Sequence, residues 1–190
     1  MEWQRRFSTG DGAVLDACVL YPTILREVLL DVAGAGLFAP VWSERILGEW
    51  RIAAARLGED MGAVAGAEIA QARLRFPGAE AEADAGMALA FDLPDPNDRH
   101  VVATALATGA GVIVTANLRD FPRWTLAGAG LDAVHPDEFL TALWRREADM
   151  VAGAVHAAHA RALALGGTFD LRAMMKRARL PRLAKALARG

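Results

Sequence analysis

Three short apolar runs constrain this chain more than any other feature. Residues 13–19, 112–115 and 131–134 are near-continuous stretches of Val, Ile, Leu and Ala. That is the pattern of strands buried on both faces of a parallel sheet, not of strands with one wet face. Helical segments lie between them. Pro22 opens one that carries Ile24, Leu25, Val28, Leu29 and Val32 and is stopped by Gly34 and Gly36. Ser43 caps a second, with Ile46, Leu47, Trp50, Ile52 and Ala53; Asp60 starts a third, through Met61, Val64, Ile69 and Leu74, ending near Pro77-Gly78. Pro96 begins a fourth that closes at Gly109, and Pro136 begins another with Asp137 and Glu138 in its first turn. Strand, helices, strand, helix, strand predicts an α/β fold with a parallel sheet and right-handed crossovers. Residues 1–12 read as a loosely held lead-in, 37–42 as an apolar link, 87–91 as a short strand and 121–126 as a helical turn.

From Met150 the pattern changes. Residues 151–165 are an alanine-rich helix, Gly166-Gly167 breaks it, and two short basic helices follow over 170–179 and 182–189, divided by Pro181. Residues 150–190 hold eight of the 21 Lys and Arg but one of the 23 Asp and Glu, a balance of +7 against −9 for the rest. An acidic body with a basic tail points to a polyanion or an acidic partner for the tail. At 190 residues the chain suits one full domain with an appendage. The one cysteine, Cys18, excludes an intrachain disulfide and fits a reducing, cytoplasmic setting. No run reaches the roughly 18 apolar residues of a membrane span, and the first residues lack the apolar segment of a signal peptide.

The chemistry lies in acids that meet these runs. Asp16 interrupts the first. Asp98 heads the helix before the second, in Leu93-Pro94-Asp95-Pro96-Asn97-Asp98-Arg99-His100, and Thr115, Asn117 and Asp120 follow the second. An open parallel sheet gathers ligands at the carboxyl ends of its strands, so acids remote in sequence can meet there. Carboxylates brought together repel and raise one another's pKa. A hard divalent ion, Mg²⁺ or Mn²⁺, removes that penalty from an all-oxygen set, and the matching chemistry is metal-assisted phosphodiester hydrolysis. Each acid also has a plain reading. Asp95 suits an N-cap, and Glu49 suits a solvated helix face. His156 and His159 share a helical face, but no acid or thiol accompanies them.

Taken together, Val14-Leu15-Asp16-Ala17-Cys18-Val19-Leu20-Tyr21-Pro22, Glu49-Trp50, the Asp95–His100 stretch and Thr115-Ala116-Asn117-Leu118-Arg119-Asp120-Phe121 resemble the PIN-domain nucleases. Within them the branch of VapC-type toxins with a C-terminal helical extension is most similar. The resemblance spans about residues 13–145. It implies a three-layer fold, a mostly parallel central sheet flanked by helices, over 13–148, with a basic helical extension over 149–190. It implies that Asp16, Glu49, Asp98 and Asp120 are the catalytic, metal-binding acids, supported by Thr115 and Asn117. It further implies a Mg²⁺-dependent ribonuclease, often a homodimer, silenced by a cognate antitoxin. The family often has Asn where this chain has Cys18. The alternative is a silent PIN-like module that binds RNA or protein. An aspartyl-nucleophile phosphatase would need a second acid where Cys18 stands.

Overall fold

The first apolar run stops being a strand at Leu15, because Asp16 turns the chain into a helix. In a computed structural model, which describes residues 2–189, a short helix α1 (Glu2–Arg6) precedes β1 (Gly12–Leu15). Asp16 is the N-cap of α2 (Ala17–Leu20), and α3 (Thr23–Gly34) follows. The expected link at 37–42 contains β2 (Ala39–Val41). Ser43 accepts from the Ile46 amide at 3.4 Å and starts α4 (Glu44–Ala55), and α5 (Glu59–Arg75) packs against it.

Residues 87–91 form no strand. A 3-10 turn, Ala85–Ala88, lies there, started by Asp84, which accepts from the Gly86 amide. A second 3-10 turn, Pro96–Asp98, runs into α6 (Arg99–Thr108), which Gly109 ends in a left-handed conformation. Asp95 does cap, accepting from the Asn97 amide at 2.9 Å. Then come β3 (Val112–Val114), α7 (Arg123–Ala127), β4 (Asp132–Val134), α8 (Pro136–Trp144) and α9 (Ala148–Ala164). Two short helices, α10 (Leu171–Arg177) and α11 (Pro181–Leu187), complete the described chain.

The sheet is wholly parallel, in the order β2-β1-β3-β4. Val14 lies opposite Val41 on one side and Ile113 on the other, and Ile113 opposite Ala133. Ala13, Val14, Leu15, Ile113 and Val114 are fully buried, as their continuous apolar character requires. The chain leaves β1 toward β2 but leaves β3 toward β4. The carboxyl ends of β1 and β3 therefore flank the point where strand order reverses, the place where such sheets open a crevice.

The lead-in is docked, not loose. Trp3 and Phe7 are buried with Phe38 and Phe139, ring centroids 5.1–6.0 Å apart. Trp3 Nε1 donates to Glu138 at 3.1 Å. The opposite error concerns α4 and α5. Ile52, Met61, Val64 and Leu74, expected on buried faces, are exposed; Ala65, Ile69 and Ala72 are the buried positions of α5. Among the described residues no helix is long and apolar enough to cross a membrane.

The start of the last helix is held by one buried carboxylate. Asp137, in the first turn of α8, accepts from the Arg182 and Leu183 amides at the start of α11, at 3.0–3.1 Å. Met174, Met175, Leu180 and Leu183 fill the space beneath. Asp137→Ala leaves those amides without an acceptor and is expected to cost about 2 kcal/mol. Thermal melting tests this, and an unchanged midpoint would show that apolar packing alone holds α11.

Candidate active site

Backbone register brings the first two groups together. Leu15 pairs with Val114, so Asp16 and Thr115 leave the sheet side by side, with the Asp16 amide on the Val114 carbonyl at 3.2 Å. Both side chains are buried. Thr115 Oγ1 donates to Asp16 Oδ2 at 2.7 Å and accepts from the Asn117 amide at 3.0 Å. Cys18 adds a second donor, its thiol 3.0 Å from Asp16 Oδ2, while the Ala116 amide donates to Sγ at 3.2 Å. The thiol thus stands as a hydrogen-bond bridge between the β1 and β3 ends. Burial, and then the Asp16 charge, push its pKa up to about 12, so it stays protonated and inert as a nucleophile.

Asp120 lies in the loop after β3, where Asn117 Nδ2 donates to its Oδ2. Asp98 ends the 3-10 turn before α6, half-buried. Its carboxyl is pushed up to about 6, first by burial, then by the charges of Asp16, Asp120 and Asp95, against an opposing pull from His100. Three aspartates spread over more than a hundred positions therefore share one electrostatic neighbourhood. Among the described residues, no three His, Cys, Asp or Glu side chains close around a single point as they stand.

Glu49 is held differently. Its Oε1 lies 2.9 Å from His100 Nε2 and 3.6 Å from Arg45 Nε. The His100 contact is an ion-pair distance off the line of a hydrogen bond, and both ring nitrogens of this buried side chain lack a hydrogen-bond partner. Glu44, one turn earlier, pairs instead with Arg73 on the exposed side. The register of α4 thus aims Glu49, not Glu44, at the helix that begins beside Asp98.

His100 has no place among the acids read from the sequence; two positions after Asp98, it falls on another helical face. That face packs against α4, which no local pattern reveals. Cys18 lies within an apolar run. It is inert, but it also ties Asp16 to the β3 loop. His159 and His156 form no pair: His159 Nε2 meets the Phe169 carbonyl at 2.9 Å and stacks near its ring.

The donors facing the crevice are carboxylate oxygens, with a hydroxyl and an amide behind them. Such a set suits a hard divalent ion and gives zinc no soft ligand, since the Cys18 proton is retained. The mutual repulsion felt by Asp98 is the penalty that a cation there would relieve.

Comparison with known proteins gives a consistent picture. The family described as "PIN domain" matches residues 12–119. A Mycobacterium tuberculosis protein described as "Putative ribonuclease VapC50" is 51% identical over 43 residues, 23% of this chain and 25% of that protein. The match thus spans about a quarter of that curated relative. No solved structure gives a significant match.

Proposed function

This chain belongs to the PIN-domain family, and from that premise we propose that it is a Mg²⁺-dependent endoribonuclease, the toxin of a type II toxin–antitoxin pair. The observation that supports this reading most is the crevice at the reversal of strand order. There burial, and then the charges of Asp16, Asp120 and Asp95, push the Asp98 carboxyl up to about 6. Asp16, Asp98 and Asp120, with Glu49, are the acids assigned to hold the ion. When bound, Mg²⁺ or Mn²⁺ supplies charge neutralisation at the scissile phosphate and an acidified attacking water.

The chain's own residues do the positioning. Thr115 and Cys18 fix the Asp16 carboxylate from one side, leaving its other oxygen without a side-chain hydrogen bond among the described residues. Asn117 orients Asp120. Asp98, with its raised pKa, is half protonated near pH 6 without a cation and must lose that proton to serve as a ligand. Glu49 and His100 hold α4 against the start of α6.

The partners follow from the same reading: an RNA substrate, a second copy of the chain and a cognate antitoxin, in the cytoplasm. The exposed Ile52, Leu57, Met61 and Val64 on the α4–α5 hairpin supply apolar surface for one of the protein partners. RNA incubated with the protein and Mg²⁺ is expected to be cut, and the cutting to stop with EDTA. Cleavage that survives chelation, or none with either Mg²⁺ or Mn²⁺, overturns the reading.

A further inference from the structure

Of the cations on the terminal helices, Arg182 pairs with Glu138 at 3.7 Å and Arg177 lies over the Phe169 ring; four others take no part in holding the helices in place. Several arginines outside α10 and α11 are engaged: Arg6 with Asp132, Arg26 with Glu68, Arg73 with Glu44 and Glu80, Arg75 with Asp31, and Arg161 of α9 with Glu27 and Asp31. The attachment of α10 and α11 otherwise uses backbone amides on Asp137 and buried apolar side chains. Arg172, Lys176, Arg179 and Lys185 remain exposed, and their side chains make no ion pair or hydrogen bond with any described residue. Arg172 and Lys176 lie four apart on α10, so they share one face.

These four cations line one groove, of about 1240 Å³, between the terminal helices and the body. Two residues locate it relative to the acids. Leu118, in the loop between Asn117 and Asp120, lines its edge, and so does His135, the residue after β4. The groove therefore opens at the carboxyl edge of the sheet, beside the ends of β3 and β4. The Asp16–Thr115 pair sits at the ends of β1 and β3, and β3 is the neighbour of β4 in the sheet. The charge reaches inward as well: Arg182 and Arg179 help burial to lower the His135 pKa, with Asp137 and Glu138 opposing.

We infer that this groove is the track on which single-stranded RNA lies as it enters the acid crevice, its phosphates on Arg172, Lys176, Arg179 and Lys185. The inference rests on the ribonuclease reading above and assigns the substrate path that reading lacks. A crevice of carboxylates repels a polyanion, so binding must come from cations beside it. No Phe, Tyr or Trp lines the groove. Recognition is therefore led by phosphate contacts rather than base stacking, and is weakly selective for sequence. An acidic protein segment would match the same charges. RNA is favoured because the groove runs into the loop that carries Asn117 and Asp120.

The test measures binding apart from cleavage. In an Asp16→Asn background, a fluorescein-labelled single-stranded oligoribonucleotide is titrated by anisotropy over a range of salt. Adding Lys176→Glu and Lys185→Glu, one on each terminal helix, is expected to weaken binding by at least ~10-fold. The slope of log affinity against log salt should fall by about 1.4, two contacts at about 0.7 each. Arg5→Glu with Arg145→Glu makes the same change in net charge at another face and should leave both nearly unchanged. Unchanged affinity and slope in the groove variant, or an equal loss in the control pair, overturns the inference. So does poly-L-glutamate binding as tightly as RNA at equal charge. Melting checks that each variant is folded; Arg172→Gln with Arg179→Gln repeats the test without charge reversal. Because no cleavage is read, failure of the ribonuclease reading would leave this outcome interpretable.

Discussion

An Asp16→Asn chain is expected to fold normally and to cut RNA at least ~10³-fold more slowly, a loss of roughly 4 kcal/mol of transition-state stabilisation. The fold should survive because the amide is the same size as the carboxylate and its oxygen can still accept from Thr115 Oγ1, now 2.7 Å away. What disappears is the charge. Asp16 is buried at the crevice where strand order reverses, with two side-chain donors committed to one oxygen. A neutral group there holds a hard cation poorly. Thr115→Val separates charge from orientation. It keeps the carboxylate, removes the hydroxyl, and should cost about 10- to 100-fold, as loss of a supporting contact does. Rates measured at saturating Mg²⁺, beside far-ultraviolet spectra and melting curves, decide both. Wild-type cleavage by Asp16→Asn would remove Asp16 from the chemistry.

Asp98→Asn should do two opposite things: abolish cleavage and make the metal-free protein more stable at neutral pH. Asp98 titrates at about 6 in the folded chain, against an ordinary value of 3.8, because burial and the charges of Asp16 and Asp120 disfavour its ionised form. A raised carboxyl pKa gives a contribution to stability that is complete below the unfolded value. It is lost as pH rises through about 6. Above that, the ionised group works against the fold. For a half-buried group partly screened by solvent, about 1 kcal/mol is the expected size of the effect. The variant should therefore melt about 2–4 °C higher than the parent at pH 7.5 without metal. It should melt at the same temperature near pH 3.5, where both side chains are neutral. Mg²⁺ should raise the parent's midpoint above pH 6 and leave the variant's nearly unchanged. A lower midpoint for Asp98→Asn at pH 7.5 would show that Asp98 is a structural anchor.

The sheet and its acids were legible because their signals are local. Val112 to Val114 is buried on both faces and looks it, and Asp95 and Ser43 cap where their chemistry says they should. β2 was not legible. It has three residues, one of them Pro40, which lacks a ladder donor and is tolerated because β2 is an edge strand of the four-stranded sheet. On α5 the large apolar side chains suggested the wrong face. The buried stripe is Ala65, Ile69 and Ala72, two of the three small, and a Cβ on Gly62 would meet that of Ala55 on α4 at 3.1 Å. In an alanine-rich chain the inner face of a helix can be its least greasy one. The Glu49–His100 contact, the docking of Trp3 and the grip of Asp137 on α11 all join elements far apart in the chain. No spacing rule within one element reports them.

The partner that steadies Asp16 is Thr115, 99 positions further along. During translation the acid emerges early and waits for a hydroxyl that is made only after the chain has passed its midpoint. A product cut short before β3 has the first acid but not its brace, nor the loop with Asp120. On the proposed function, copies ended before β3 therefore carry no complete acid set.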